Sequence, residues 1–328
     1  MFCALKHLSL LAILTFVLSA CGSAPVAQAP SAVPAATTAP VLAPAAGSES
    51  GAITASDDLG RSVTLEAIPQ RIVSLAPSVT EILFAVGAGS QVVGNTTYCS
   101  YPPAATELPE VGGFSVSSFS LEAIVGLEPD LVIAGSADQQ SLVEQLEALG
   151  IATFVLDPVG FNAVYDSIER VGTLTGHAAE AEQVLASMRA RVDAVTAKVA
   201  AIPAADRPTV FWEISDDPLT SSGPNTFIGQ VITMLGASNI FADAADDYPQ
   251  VSLEVVLARD PQVILGPTSH GEQLVLDLIR RRPGWSDMQA VRDERIYLLD
   301  GDIVSRPGPR LVDALESLAA VLYPEIFE

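Results

Sequence analysis

Two glutamates, Glu122 and Glu254, hold the same place in a phrase that the chain uses twice. SLEAIVGLEPDLVIAG starts at Ser120 and SLEVVLARDPQVILG at Ser252, and the copies align without a gap, Pro129 on Pro261. Carboxylates do acid–base chemistry when they converge on one reacting atom within hydrogen-bond reach. Here each follows a serine at the start of a short helix, where a serine cap and an acidic first turn stabilise by about 0.5–1 kcal/mol each. Capping accounts for a glutamate at such a position, but not for one in each half of the chain. Other reactive constellations are missing: there is no HExxH, paired CxxC or GxSxG. Beyond the leader the histidines are His177 and His270, far apart in sequence. GAGSQVVG (87–94) hints at a dinucleotide loop, but it follows a helix and precedes a strand, the reverse of the required order. Its glycines read as helix termination. No nucleophile, base and orienter assemble, so neither catalysis nor a catalytic cofactor or metal is expected.

The elements that must position these residues alternate. RIVSLAPS (71–78) reads as a buried strand, followed by a helix in VTEILFAVGAG and a second strand in QVVGNTTY. EPDLVIAG gives a third strand, QSLVEQLEALG a helix ended by Gly150, and IATFVLD a strand. The second half repeats the plan: PTVFWEIS (208–215), the helix FIGQVITMLGA, a strand edge in SNIFAD, the repeated phrase, a helix around Gln273–Arg281, and the strand ERIYLLD. Alternation of this kind predicts parallel βαβ units, hence an α/β fold of two lobes with parallel sheets. Between them Leu185, Met188, Val192, Val195 and Val199 step by three and four, the mark of an amphipathic helix. From Ala178 to Ala200 it would extend about 35 Å, enough to join the lobes.

The N-terminus sets the compartment. Lys6 precedes the apolar run LSLLAILTFVLSA (Leu8–Ala20), too short to span a membrane and suited to a signal-peptide core. Leu18, two small residues and Cys21 have the pattern of a lipoprotein signal, in which Cys21 is lipidated and becomes the mature N-terminus. Residues 22–52 are rich in Ala and Pro, without apolar periodicity, a composition that behaves as a semi-extended tether. The expected organisation is a signal peptide (1–20), lipidated cysteine and tether (21–52), N-terminal lobe (53–177), bridging helix (178–202) and C-terminal lobe (203–328). Cys99 alone is left for the folded part, so no internal disulfide can form there. With 16 basic against 39 acidic residues and a net charge of −23, little could neutralise phosphates, which argues against a nucleic-acid partner.

Two α/β lobes, one long joining helix and a lipid tether resemble the substrate-binding lipoproteins of ATP-driven importers, in the class that serves vitamin B12, ferric siderophores and haem. RIVSLAPSVTEILFAVGAG, SYPP, LEAIVGLEPDLVIAG, YPQVSLEVVLARDPQVIL and RPGPRLVDALESLA carry the resemblance over about residues 70–328. TTYCSYPP and DYPQVS look most like the cobalamin-binding members. The resemblance implies a rigid joining helix, a monomer, and capture of a corrinoid, cobalamin, between the lobes. It also implies delivery to a membrane permease with its ATPase subunits, whose arginines meet Glu122 and Glu254.

A flat corrin with amide edges suits aromatic faces and a few hydrogen-bonding groups. Tyr98 follows the second strand of the first lobe. Phe114 lies where cobalamin-type proteins carry an aromatic, with core packing as the equal alternative. Tyr248 matches a usually aromatic position, and Asp302 and Arg306 lie after the last strand, where they either address the ligand or pair with each other. Trp212 and Glu213 leave the first strand of the second lobe, and alternation allows only one of them to face the cleft. Cys99 reads as a small loop residue rather than a cobalt ligand, and Tyr101 as packing under the prolines. A ferric siderophore or haem carrier is the alternative within the class. An exported metal-dependent or nucleotide-processing enzyme on the same plan, and a purely structural surface lipoprotein, are the alternatives outside it.

Overall fold

Runs of branched apolar residues bounded by Ser, Gly or Pro form most strands of two separate, mainly parallel sheets. The computed structural model describes residues 51–113, 115–268 and 276–327, and Glu49–Glu328 form one compact unit. Cys21, Phe114, His270 and Gln273 lie outside the described residues. A short antiparallel hairpin, β1 (Ile53–Ser56) with β2 (Ser62–Leu65), comes first. β3 (Ile72–Ser74) is fully buried and ends where Pro77 starts α1 (Pro77–Ala85), as proline favours the first helical turn. β4 (Val92–Gly94), α2 (Leu121–Gly126), β5 (Leu131–Ala134), α3 (Gln140–Ala148) and β6 (Thr153–Val155) complete a parallel sheet in the order β4-β3-β5-β6.

Two helices follow, α4 (Gly160–Thr175) and α5 (Ala178–Ala200). α5 has 23 residues and buries Leu185, Met188, Val195 and Val199, with Val192 half-buried on the same stripe. Only α5 was legible as a helix in this stretch; α4 is the addition. The second sheet takes β7 (Thr209–Asp216), antiparallel β8 (Leu219–Ser221), the short β9 (Ser238–Asn239), β10 (Val263–Thr268) and β11 (Ile296–Asp300). β7 pairs in parallel with β10 and β9, and β10 with β11. Around it lie α6 (Phe227–Met234), α7 (Leu253–Arg259), α8 (Leu276–Arg281), α9 (Gln289–Arg292), α10 (Gly301–Val304) and α11 (Leu311–Leu322). The two lobes with parallel sheets expected from the sequence are present.

One hydrophobic core runs from Ile72 and Leu131 of the first sheet, through Leu185 and Met188 of α5, to Val210 and Leu265 of the second. The lobes also touch directly, with Phe161 of α4 and Phe227 of α6 at 5.8 Å between ring centroids. Arg191 of α5 holds Asp313 and Glu316 of α11 at 2.6 and 2.5 Å. Shared apolar burial, at about 1.5–3 kcal/mol for each large side chain, joins the lobes by more than a tether.

Candidate functional site

In an open α/β sheet the loops that can hold a ligand converge beyond the carboxyl ends of the strands. Two hollows open there. One of about 480 Å³ is lined by Ala76, Pro77, Ser78, Tyr98 and Gly135 of the first lobe and by Ser305, Arg306 and Pro307 of the second. Tyr98 also lines the other, of about 330 Å³, with Ser115, Val116, Ser136, Asp138 and Gln139. Gly135 has no room for a side chain, because a Cβ there would stand 2.1 Å from that of Ala76. The backbone turn at the end of β5 therefore closes directly on the start of α1. Gln139 holds that turn, accepting from Gly135 N at 2.9 Å and donating to Leu75 O at 3.0 Å. A larger hollow of about 650 Å³ lies beside Lys198, Arg295 and Tyr323, away from the carboxyl ends of the strands, so size alone does not select the site.

Tyr98 is 48% exposed and offers its ring to both cleft hollows. Arg306, 7% exposed, binds Asp302 at 2.7 Å, so the mutual pairing is realised, and it also reaches the first lobe at Tyr98 O (2.9 Å) and Ser100 Oγ (3.1 Å). Tyr248 is 64% exposed, on the segment that bonds to β8, and lines neither cleft hollow.

Trp212 and Glu213 depart from the expectation that one of them faces the cleft. β7 lies between β10 on one side and β8 and β9 on the other, and both of its faces are covered. Trp212 packs into the shared core at 2% exposure. Glu213 is fully buried and bidentate to Arg282 at 2.6 Å for both bonds, with that guanidinium stacked 4.5 Å over Trp285. Burial pushes the Glu213 carboxyl up while Arg282 pulls it back down. Neither side chain presents surface to a ligand. Tyr101 also differs: it is 46% exposed, with the Arg310 guanidinium 4.5 Å from its ring, a cation–π contact. Cys99 is buried at 4% exposure between the hydroxyls of Thr80 and Thr96, each 3.2 Å from the thiol.

Glu122 and Glu254 are both exposed in the first turns of α2 and α7. Their serines cap as the spacing predicts, Ser120 accepting from Ala123 N at 3.1 Å and Ser252 from Val255 N at 3.3 Å. The Glu254 carboxyl is held below the usual range, first by its own backbone N–H and then by the Ser252 hydroxyl.

Sequence reasoning missed Glu81. It is 3% exposed on α1 and takes Arg310 at 2.9 and 2.6 Å and Arg306 at 3.2 Å. Its hydrogen bond raises the Arg310 pKa above the usual arginine range. The available signal was a charged residue within the apolar helix PSVTEILFA, together with two arginines framing PGP. Among the described residues no group of three or more His, Cys, Asp or Glu could hold a metal ion, and no helix is long and apolar enough to cross a membrane.

The family model described as "Periplasmic binding protein" matches residues 72–303. An uncharacterized ABC transporter substrate-binding lipoprotein, YvrC of Bacillus subtilis, is 34% identical over 84% of this chain and 87% of its own length. The periplasmic vitamin B12 binding protein BtuF of Vibrio cholerae superposes with a TM-score of 0.65 at 29% identity, over 78% of this chain and 97% of its own. The periplasmic heme-binding protein RhuT of Roseiflexus, in apo form, gives a TM-score of 0.69 at 31% identity, over 78% of this chain and 98% of its own.

Proposed function

The chain belongs to the periplasmic binding protein family, and from that premise we propose that it captures a corrinoid, cobalamin, between its lobes and presents it to an ABC permease. It is a substrate-binding protein of an ABC transporter, in the class that handles vitamin B12, siderophores and haem. The observation that carries the finer reading is the charge of the cleft. Among the described residues lining its two hollows, the charged side chains are Arg306 and Asp138. Arg306 is already committed to Asp302 and Glu81, and Arg310 behind it to Glu81. Two guanidiniums against these two carboxylates cancel, and Asp138 adds a negative charge, which leaves no net positive charge for an anionic chelate or a propionate. A neutral corrin, with an apolar face for Tyr98 and amide edges for Ser115, Ser136 and Ser305, meets no such mismatch.

Haem is the second reading, favoured by the exposed Tyr98 phenol and by the likeness to a heme-binding structure. Calorimetric titration of the protein with cyanocobalamin, haemin and a ferric siderophore separates them. Saturable one-to-one binding of cyanocobalamin is expected, and binding of haemin or the siderophore without it would overturn the corrinoid assignment.

In this reading the lobes are residues 53–177 and 203–328, the joining helix 178–202 is rigid, and the protein works as a monomer without catalysing a reaction. Residues 1–20 direct export, and Cys21 carries the lipid that holds the chain to the outer side of the cell membrane by its tether. Tyr98 and Arg306 line the ligand surface, and Asp302 acts there through its pair with Arg306. Glu122 and Glu254 dock on basic residues of the permease, which works with its ATPase subunits. Two anchors on a fixed frame bind together more tightly than either alone.

A further inference from the structure

An ionised carboxylate on the buried face of an apolar helix requires partners, and the cationic partners that Glu81 finds come from the other lobe. Arg310 donates Nε to Oε2 and Nη2 to Oε1, and Arg306 donates Nη1 to Oε1. The two arginines flank Pro307, Gly308 and Pro309, in the turn between α10 and α11. The prolines fix their own φ and so limit how far the two guanidiniums can separate. Gly308 lies in ordinary contact with α1, its Cβ position 3.6 Å from Ser78 O.

The same turn grips the loop that follows β4. Arg306 donates to Tyr98 O at 2.9 Å and to Ser100 Oγ at 3.1 Å. Ser100 in turn donates to Asp302 at 2.9 Å, and Tyr101 covers Arg310. Within its own lobe the loop from Tyr98 to Tyr101 belongs to no strand or helix. The exposed ring at the cleft is thus mounted on a loop held from the opposite lobe as well as by the buried Cys99 of its own.

We propose that Glu81, Arg306 and Arg310 form an interlobe clamp that positions the Tyr98 loop at the cleft mouth, acting as positioning residues for ligand capture. The ligand part of this proposal rests on the cleft being the binding site; the loop-positioning part does not. A clamp and a mere stabilising ion pair predict different behaviour once stability is restored. Breaking a buried pair by removing one partner destabilises, whereas replacing the whole cluster by apolar residues of similar volume is often neutral or stabilising.

Hydrogen exchange by mass spectrometry on the full chain makes the distinction. In Glu81→Gln, amides of residues 96–101 and 302–310 should exchange about tenfold faster, while those of β3, β5 and β10 keep their protection. In the triple variant Glu81→Leu, Arg306→Met, Arg310→Met, the melting temperature should return to that of the parent while the 96–101 loop stays fast. Tyr101→Ala, which truncates an exposed ring and is not expected to impair folding, should give a smaller local increase. Cyanocobalamin affinity should fall with loop protection, about tenfold in the triple variant. A triple variant with parental loop exchange, or a Glu81→Gln variant that speeds exchange uniformly over both sheets, would overturn the clamp. If the parent protein does not bind cyanocobalamin, the ligand reading fails, and the exchange pattern still decides the clamp.

Discussion

The two copies of the repeated phrase fold alike and serve unlike surroundings. In each, a serine caps a short helix with an exposed glutamate in its first turn. In each, the residue before the shared proline takes a positive φ, 47° at Glu128 and 37° at Asp260, which turns the chain from helix into strand. The residue after that proline ties down the first parallel strand of its lobe. Asp130 accepts from Gln70 N and Arg71 N, and Gln262 accepts from Thr209 N at 3.0 Å. Past the strand the likeness stops. β5 ends in a glycine turn that opens on the cleft beside Tyr98. In the second lobe Trp212 and Glu213 are buried in the middle of β7, and the arginines beyond β11 are spent across the lobe boundary. The helix-to-strand step recurs in both lobes and the loops beyond it do not, and in the proposed docking role the two recurring glutamates are the parts that need a fixed separation.

That comparison breaks most sharply at the glutamates. Glu122→Arg and Glu254→Arg should each reduce uptake of labelled cobalamin by about 100-fold, since losing one of two linked anchors forfeits their joint engagement. Ligand affinity, measured by calorimetry, should stay within about twofold, because neither residue lines a cleft hollow and both are exposed to solvent. Loss of affinity in either variant would move that glutamate into the ligand site. A defect in only one would make the copies functionally unequal.

The aromatics of the two lobes provide the next contrast. Trp212→Ala should cost about 3–5 kcal/mol in chemical denaturation, as for other buried aromatic truncations. Tyr98→Ala should leave stability within about 0.5 kcal/mol while lowering cyanocobalamin affinity about tenfold, on the scale of one aromatic contact. Equal destabilisation by both would place Tyr98 in the core.

How far the sequence discloses this can be judged residue by residue. The repeat and the apolar stripe of α5 were legible because both are local patterns written at the period of the element itself. The stripe Phe161, Val164, Ile168, Val171 on α4 carries the same signal, masked by the longer helix that follows it directly. Trp212 and Glu213 were misplaced for a different reason. Alternation assigns residues to faces of a strand but does not say whether another layer covers a face. Glu81 was illegible for a third reason, since its partners lie 225 and 229 residues away. A buried charge is apparent only when the fold has brought its counter-ions.

Smaller effects test whether the caps are interchangeable. Ser120→Ala and Ser252→Ala should each cost about 1 kcal/mol, and their effects should add to within about 0.5 kcal/mol because the sites share no partner. Urea denaturation of both single variants and the double variant measures this. A much larger loss at Ser252 would mean that its hydroxyl also organises the Tyr248 segment preceding it.

The smallest effect concerns the ionisation of Glu254, where capping and docking meet. Its folded pKa lies below the ordinary carboxylate value, mainly through its own backbone N–H and secondarily through Ser252. A depressed carboxylate favours the fold above its unfolded pKa, and that contribution disappears as pH falls through the folded value. Because the group is solvent-exposed, the contribution to stability is slight and screened by salt. In the proposed docking role the charge itself matters more, since the cap keeps this carboxylate ionised at lower pH than an ordinary glutamate. Carbon-detected NMR titration of the Glu254 carboxyl should show its midpoint below the ordinary range. In Ser252→Ala the midpoint should rise only part of the way back, because the backbone donor remains. A complete return would make the serine the sole cause, and no movement would remove the hydroxyl from the site. Either result would separate the capping contribution at Glu254 from its proposed docking role.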